Sequence, residues 1–248
     1  ILPEHLLNEN KLKKEAKERG RDPEKFIMRD SNFGRNPVGT GSFKFIEWKS
    51  DEIIRLERNE NYWDGAPEYG EYVMRIIPDS LTQEMEFYAG AIDNYSVQPH
   101  QVSRFSKEDK FQSFSSIGYF YSYIGYNLRN PLFADAEIRT ALGMAINVDP
   151  IIRYVLYGEG ERVTGPYPKI TDWYDPDVKP LPYDPVKALK IFNEKGWRKN
   201  ADGILEKNGK LFEFNLITNS GNPIRKNILT IAQESWRKIG VKCNTQLF

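Results

Sequence analysis

Two histidines and one cysteine in 248 residues leave this chain with few of the side chains that hold transition metals. His5 and His100 lie far apart and neither has a companion at ligand spacing. A zinc or nickel cage drawn from this stretch is not expected, since such cages are built from His and Cys. The single Cys243 excludes an internal disulfide; beside Val241, with no His nearby, it reads as a buried, inert thiol. No apolar run approaches the ~18 residues of a membrane span. Net charge is missing as well, because 35 Lys and Arg cancel 35 Asp and Glu. Without a basic surplus, no nucleic-acid partner is expected. The chain opens Ile1-Leu2-Pro3, without Met and without the basic-then-apolar pattern of an export signal. It reads as an interior segment of a longer polypeptide.

Signatures of catalysis are also scarce. The G-x-S-x-G elbow of serine hydrolases is absent. Gly39-Thr40-Gly41 precedes a strand and Gly158-Glu159-Gly160 follows a helix, whereas phosphate cradles run from a strand into a helix N-terminus. Both are turns. Carboxylates are abundant, but no pair sits in an apolar setting that would split two pKa values into acid and base. No catalytic residue and no cofactor is assigned. A hydrolase acting on peptides or glycans stays as the alternative of a different class.

What the chain does have is length and aromatics. A chain of this size buries ~75% of its unfolded surface, and 13% of its residues are aromatic. The richest stretch is 119–160. Tyr119, Tyr121 and Tyr123 alternate with Phe120, Ile124 and Tyr126, which predicts a strand apolar on both faces and therefore covered on both. Asp135 stands where an N-cap should, and Ile138, Ala141, Leu142, Ala145 and Ile146 follow the spacing of one buried helix face. Asp149-Pro150 predicts a second cap, with Ile151, Ile152, Val155 and Leu156 inward and Gly158 or Gly160 ending the helix.

Elsewhere the pattern predicts a largely solvated helix over 3–19 with Leu6, Leu7, Leu12 and Ala16 as its apolar side, then a short helix from Pro23 to Met28. A hairpin follows (43–48 and 53–58), a strand over 72–77, a helix over 81–89 stopped by Gly90, and a short strand near Ile92. Trp48 and Trp63 look like packing residues. After Gly160 a Pro- and Gly-rich excursion leads to a helix capped by Asp184-Pro185. Asn208-Gly209 predicts a type I′ hairpin between 204–207 and 210–218. In the second of these strands Phe212, Phe214 and Leu216 share a face. A helix over 224–238 turns Ile228, Ile231, Ala232 and Ser235 inward, and a strand begins at Val241.

Tyr126-Asn127, Pro131, Phe133, Asp135, Ile138-Arg139, Ala141, Ala145-Ile146 and Tyr157-Gly158 resemble the signature of family 5 extracellular solute-binding proteins. The run Asn36-Pro37-Val38-Gly39-Thr40-Gly41-Ser42-Phe43-Lys44-Phe45 is similar to another of the family's blocks, with Ser42 in place of the usual Pro. Asn59, Tyr62-Trp63, Gly65 and Pro67, then Ala89 to Asp93, then Tyr183-Asp184-Pro185, Lys187-Ala188 and Ile239-Gly240-Val241 continue the series in order.

The resemblance implies an α/β, periplasmic-binding-protein-like fold of class II type, with mixed sheets, flanking helices and an incomplete pair of lobes. The partial lobes would be 1–117 and 118–248. It also implies a non-catalytic, exported receptor, periplasmic or at the cell surface, that gives a peptide-like solute to an ABC transporter permease. An opine, an oligosaccharide or a chelated metal are the alternative solutes. The ligand would lie between lobes, where clefts commonly hold ligands. Candidate ligand-binding residues are Tyr126 and Asn127 at the end of the predicted strand, and Asn219, Ser220 and Gly221 where a strand end meets a helix N-terminus. The readings set against these are a core tyrosine, a turn-stabilising amide and plain helix capping. Arg139, beside a buried helix face, is expected to anchor a neighbouring loop. The acidic residue that pairs with a peptide's amino group in relatives has no counterpart here.

Overall fold

A computed structural model describes residues 3–248. They form two compact units that part between Tyr95 and Ser96. The expected division at 117/118 lies further along the chain. Residues 96–117 fall with the second unit, and the ring of His100 packs 6.2 Å from that of Tyr157 there.

In the first unit the expected single helix is two, α1 (Glu4–Leu7) and α2 (Glu9–Glu18). Asn8 interrupts them with extended backbone, and its side chain accepts the Lys11 N–H at 3.0 Å. A local cap has won over helix continuation. The short helix expected after Asp22 is only a turn, because the Asp22 carboxylate takes the Glu24 N–H at 3.0 Å. Strands β1 (Phe43–Lys49), β2 (Ile53–Arg58) and β3 (Glu71–Arg75) form an antiparallel sheet in that order, with a bulge between Phe45 and Glu47. The tight β1–β2 turn holds Asp51 at φ 61°. Helix α3 (Ser80–Tyr88) starts on Asp79, which accepts the Thr82 N–H at 2.8 Å. No strand forms near Ile92.

Two tryptophans correct the reading from sequence. Trp63 is 79% exposed, in a turn where it meets only the ring of Tyr62 at 5.4 Å among the described ring contacts. Trp48 is also exposed and lies under the Arg35 guanidinium, 4.1 Å away. Both pack locally rather than in a core.

The second unit holds most of the core. After α4 (Val102–Phe105) the chain passes through 112–126 without regular structure and joins no sheet. The strand expected there is therefore not formed. Side-chain alternation defines two faces, but it does not supply a neighbouring backbone. Ile124 and Tyr126 still pack against the core, while Tyr119, Phe120 and Tyr123 are exposed.

Helix α5 (Ala136–Met144) begins as its sequence requires, with the Asp135 carboxylate accepting the Glu137 N–H at 2.8 Å. Ile138, Ala141, Leu142, Ala145 and Ile146 are all buried. Lys195 spans Asp135 and Glu137 and holds the Asp135 carboxyl below its ordinary range. The next helical segment is a π-helical turn, Ile151–Val155. No side chain caps it; the Asp149 carboxylate does not take that role, and in the preceding turn the Asn147 side chain accepts the Asp149 N–H at 3.1 Å.

Helix α6 (Pro185–Glu194) starts on Asp184, which accepts the Lys187 N–H at 2.8 Å. Then β4 (Arg198–Lys199), β5 (Leu205–Lys207) and β6 (Lys210–Leu211) make a small antiparallel sheet. Asn208 and Gly209 both adopt positive φ, as the type I′ turn demands. The long strand expected after this turn divides at Phe212. That side chain is fully buried, and the chain continues as β7 (Glu213–Thr218), which pairs in parallel with β8 (Lys242–Leu247). Between them runs α7 (Pro223–Ile239). Its buried residues are Leu229, Ala232, Trp236 and Ile239; Ile228 and Ile231 lie at the margin and Ser235 is only half-buried. The large ring of Trp236 sets the phase of this helix.

The core closes around Phe212. Its ring meets Phe192 at 5.0 Å and Trp197 at 4.8 Å, both edge-on, a favoured arrangement for aromatic pairs. Cys243 is buried on β8, and burial pushes its thiol up to about 11. Below the unfolded thiol's pKa this stabilisation is constant, and it declines as pH rises toward the folded value. The expected outcome is that a disulfide reagent at pH 8 leaves Cys243 unmodified in the native protein and modifies it fully in denaturant. Rapid native labelling would contradict its burial.

Candidate functional site

Tyr126 is seated against the core, with its ring 5.2 Å from Phe133. Burial pushes its phenol up to about 12, against an opposing pull from the Arg139 charge, so it remains a neutral hydroxyl across physiological pH. Asn127 is exposed, and its side-chain oxygen accepts the Arg129 N–H at 3.1 Å. Its amide N–H₂ still points to no partner among the described residues. Arg139 does anchor the following loop, donating to the carbonyls of Phe133 at 2.6 Å and Ala134 at 3.0 Å.

The second group lies where β7 gives way to α7. Asn219, Ser220 and Gly221 are all exposed. Neither Asn219 nor Ser220 caps α7. That task belongs to Asn222, whose side chain accepts the Arg225 N–H at 2.9 Å. Asn219 instead accepts from the Arg225 guanidinium at 3.0 Å, and the Ser220 N–H bonds to the Phe248 carbonyl at 2.6 Å. Arg225 thus sets a cation beside the loop, at the positive end of a 17-residue helix. The sequence reading missed it, although its place in the first turn after the loop was a usable signal.

Both groups rest on one aromatic hub, since Phe133 meets Tyr126 and also meets Phe214 of β7 at 5.1 Å. Among the described residues no hydrogen bond joins Asn127 to Asn219 or Ser220. The two groups offer amide donors and acceptors, a hydroxyl and a guanidinium. This is the inventory for recognising a polar backbone or a carboxylate. Among the described residues no three His, Cys, Asp or Glu side chains gather as metal ligands. No helix among those residues is long and apolar enough to cross a membrane.

Comparison with known proteins extends the picture. The family model of bacterial extracellular solute-binding proteins, family 5 (middle region), matches residues 14–247. An oligopeptide-binding protein, AppA, from Bacillus subtilis (strain 168) is 34% identical over the whole of this chain. The solved structure of AppA from Bacillus subtilis in complex with a nonapeptide gives a TM-score of 0.84 at 33% identity, covering 100% of this chain and 47% of that one. NikZ from Campylobacter jejuni, solved with Ni(L-His), gives a TM-score of 0.85 at 28% identity over 99% of this chain and 46% of its own. Heme-binding protein A of Haemophilus influenzae is 30% identical over 84% of this chain, which is 37% of that protein. The chain spans less than half the length of each of these relatives, 44% for the Bacillus protein. The α/β architecture expected from the sequence is the one these structures share.

Proposed function

Because this chain belongs to the bacterial extracellular solute-binding proteins of family 5, we propose that it forms part of the substrate-binding component of an ABC importer. It captures a peptide-like solute outside the cytoplasm, in the periplasm or at the cell surface. It performs no chemistry on the solute and passes it to a membrane permease. The observation that carries this reading is the 34% identity along the full chain to an oligopeptide-binding protein. The exposed Asn219-Ser220-Gly221 loop, with Arg225 beside it, supports it with groups suited to a peptide backbone.

Tyr126, Asn127, Asn219, Ser220 and Gly221 line the ligand side. A second reading, a chelated metal, is favoured by the likeness to a protein solved with Ni(L-His). A metal already wrapped in its chelator asks the protein for hydrogen bonds more than for histidines, which suits a chain with only two.

Calorimetry on the protein expressed from its complete gene tests the proposal. Micromolar binding is expected for members of a di- to pentapeptide library, and weak or no binding for residues 1–248 alone. Replacing Asn219 and Ser220 together by Ala should weaken binding about tenfold, or ~1.4 kcal/mol, without lowering the melting temperature. Unchanged affinity would remove this loop from the site. Tight binding of a metal–histidine chelate with no response to peptides would favour the second reading.

A further inference from the structure

Asparagine carries an acceptor and a donor on one amide, and a neighbour that can only donate decides which of them faces outward. At Asn219 that neighbour is the Arg225 guanidinium, which reaches the side-chain oxygen at 3.0 Å, with the Thr218 hydroxyl 3.5 Å from the same atom. At Asn127 it is the Arg129 backbone N–H, at 3.1 Å. Neither a guanidinium nor a backbone N–H accepts, so both oxygens are turned toward the protein. Among the described residues neither amide N–H₂ has a protein partner, and both asparagines are exposed.

The local structure alone does not call for amides. Asp22 and Asp175 each accept the N–H two residues ahead, at 3.0 and 2.8 Å, the same bond that Asn127 makes. At 219 a carboxylate would hold Arg225 more strongly than an amide does, since ionised pairs make the stronger hydrogen bonds. The flanking sequence avoids acids as well. Residues 111–134 and 214–233, which contain the two groups, hold no Asp or Glu in a chain with 35. Their charged side chains are Arg129, Arg225 and Lys226.

We propose that Asn127 and Asn219 are donor-only specificity residues, held in that polarity by the Arg129 N–H and by Arg225. They select the acceptor face of the solute, its backbone carbonyls or a carboxylate. The inference rests on the functional reading above and names the part of the solute that these two groups take. A solute amine finds no free acceptor at either side chain, and the neighbouring cations disfavour it further.

Single replacements in the protein from the complete gene separate this role from a structural one. Asn219→Asp keeps an oxygen for Arg225 but presents an acceptor outward in place of the donor; Asn219→Ala removes both. Binding is measured by calorimetry with a di- to pentapeptide library, prepared as free acids and as C-terminal amides, and with Ni(L-His). The Ala variant should lose affinity about fivefold and the Asp variant about 50-fold, because facing acceptors repel rather than merely lack a partner. The Asp variant should nevertheless melt no lower than the unaltered protein. Asn127→Asp and Asn127→Ala should fall in the same order. A structural role alone predicts the reverse, since Asp preserves the bond that Ala destroys. Asp variants that bind as well as the Ala variants, or better, would overturn the proposal. Equal losses for acids and amides would assign the donors to solute carbonyls; losses confined to free acids would assign them to the carboxylate. An unaltered protein that binds neither peptides nor the chelate would sink the functional reading and this inference with it. Binding by the unaltered protein together with the reverse order would sink the inference alone.

Discussion

Replacing Trp236 by Ala should cost about 4–8 kcal/mol, enough to unfold most of the second unit. Trp236 is fully buried, meets Phe214 at 5.2 Å and donates its indole N–H to the Leu142 carbonyl at 2.9 Å. Removing a buried Trp side chain costs roughly 3–5 kcal/mol. The Leu142 carbonyl, left without its donor, adds ~1–3 kcal/mol unless water reaches it. Against a domain stability of ~5–15 kcal/mol, little remains. Trp236→Phe separates the two effects, since it keeps much of the packing and removes the donor, for about 1–3 kcal/mol. Denaturant unfolding followed by near-UV circular dichroism measures both. A loss below ~1 kcal/mol for the Ala variant would show that α7 does not organise this core.

Gly240→Ala should be the second most damaging of these changes, at about 2–5 kcal/mol. Gly240 ends α7 at φ +93°, and the Val241 N–H reaches back to the Trp236 carbonyl at 3.0 Å, closing the helix. A side chain there carries the left-handed penalty of ~1–2 kcal/mol. Its Cβ would also stand 2.7 Å from the Gly203 carbonyl oxygen, a backbone atom that cannot rotate away. Such strain costs a further ~1–3 kcal/mol. Gly209→Ala is the control, because φ is +73° but nothing lies within 4 Å of the added carbon. Only the left-handed penalty of ~1–2 kcal/mol applies to it. Equal losses for the two variants would mean that the Gly203 loop yields and that the close approach carries no strain.

Three of the helix caps were legible because their chemistry is local. Asp79, Asp135 and Asp184 each accept an orphan N–H in the first turn of the helix they begin, as their side chains predict. Asn208-Gly209 was legible for the same reason, since two positive-φ residues in a row define one turn. The phase of α7 was harder to read. Its pattern admits two neighbouring apolar faces, and the choice falls to the volume of Trp236 packed under Leu142 and Phe214, which are distant in sequence. The strand over 119–126 exceeded what alternation can specify, because a strand is completed by another backbone.

The candidate site was legible in part. That Asn219 and Ser220 lie on an exposed loop follows from a strand meeting a helix, but the identity of the cap did not. Asn222 takes that role, which leaves Asn219 paired with Arg225. Tyr126 and Asn127 were each open to two readings, and both local ones operate: the ring packs against the core and the amide holds a turn. A residue committed to a turn through its oxygen can still donate through its nitrogen.

The claim that this is a receptor rather than an enzyme is tested most directly by recovering the solute. The protein from the complete gene is incubated with an excess of the peptide it binds, and the peptide is then released and weighed by mass spectrometry. Stoichiometric release of unaltered peptide after many hours is the expected result. Hydrolysed or otherwise modified product, accumulating beyond one equivalent of protein and abolished by replacing a single side chain, would contradict it.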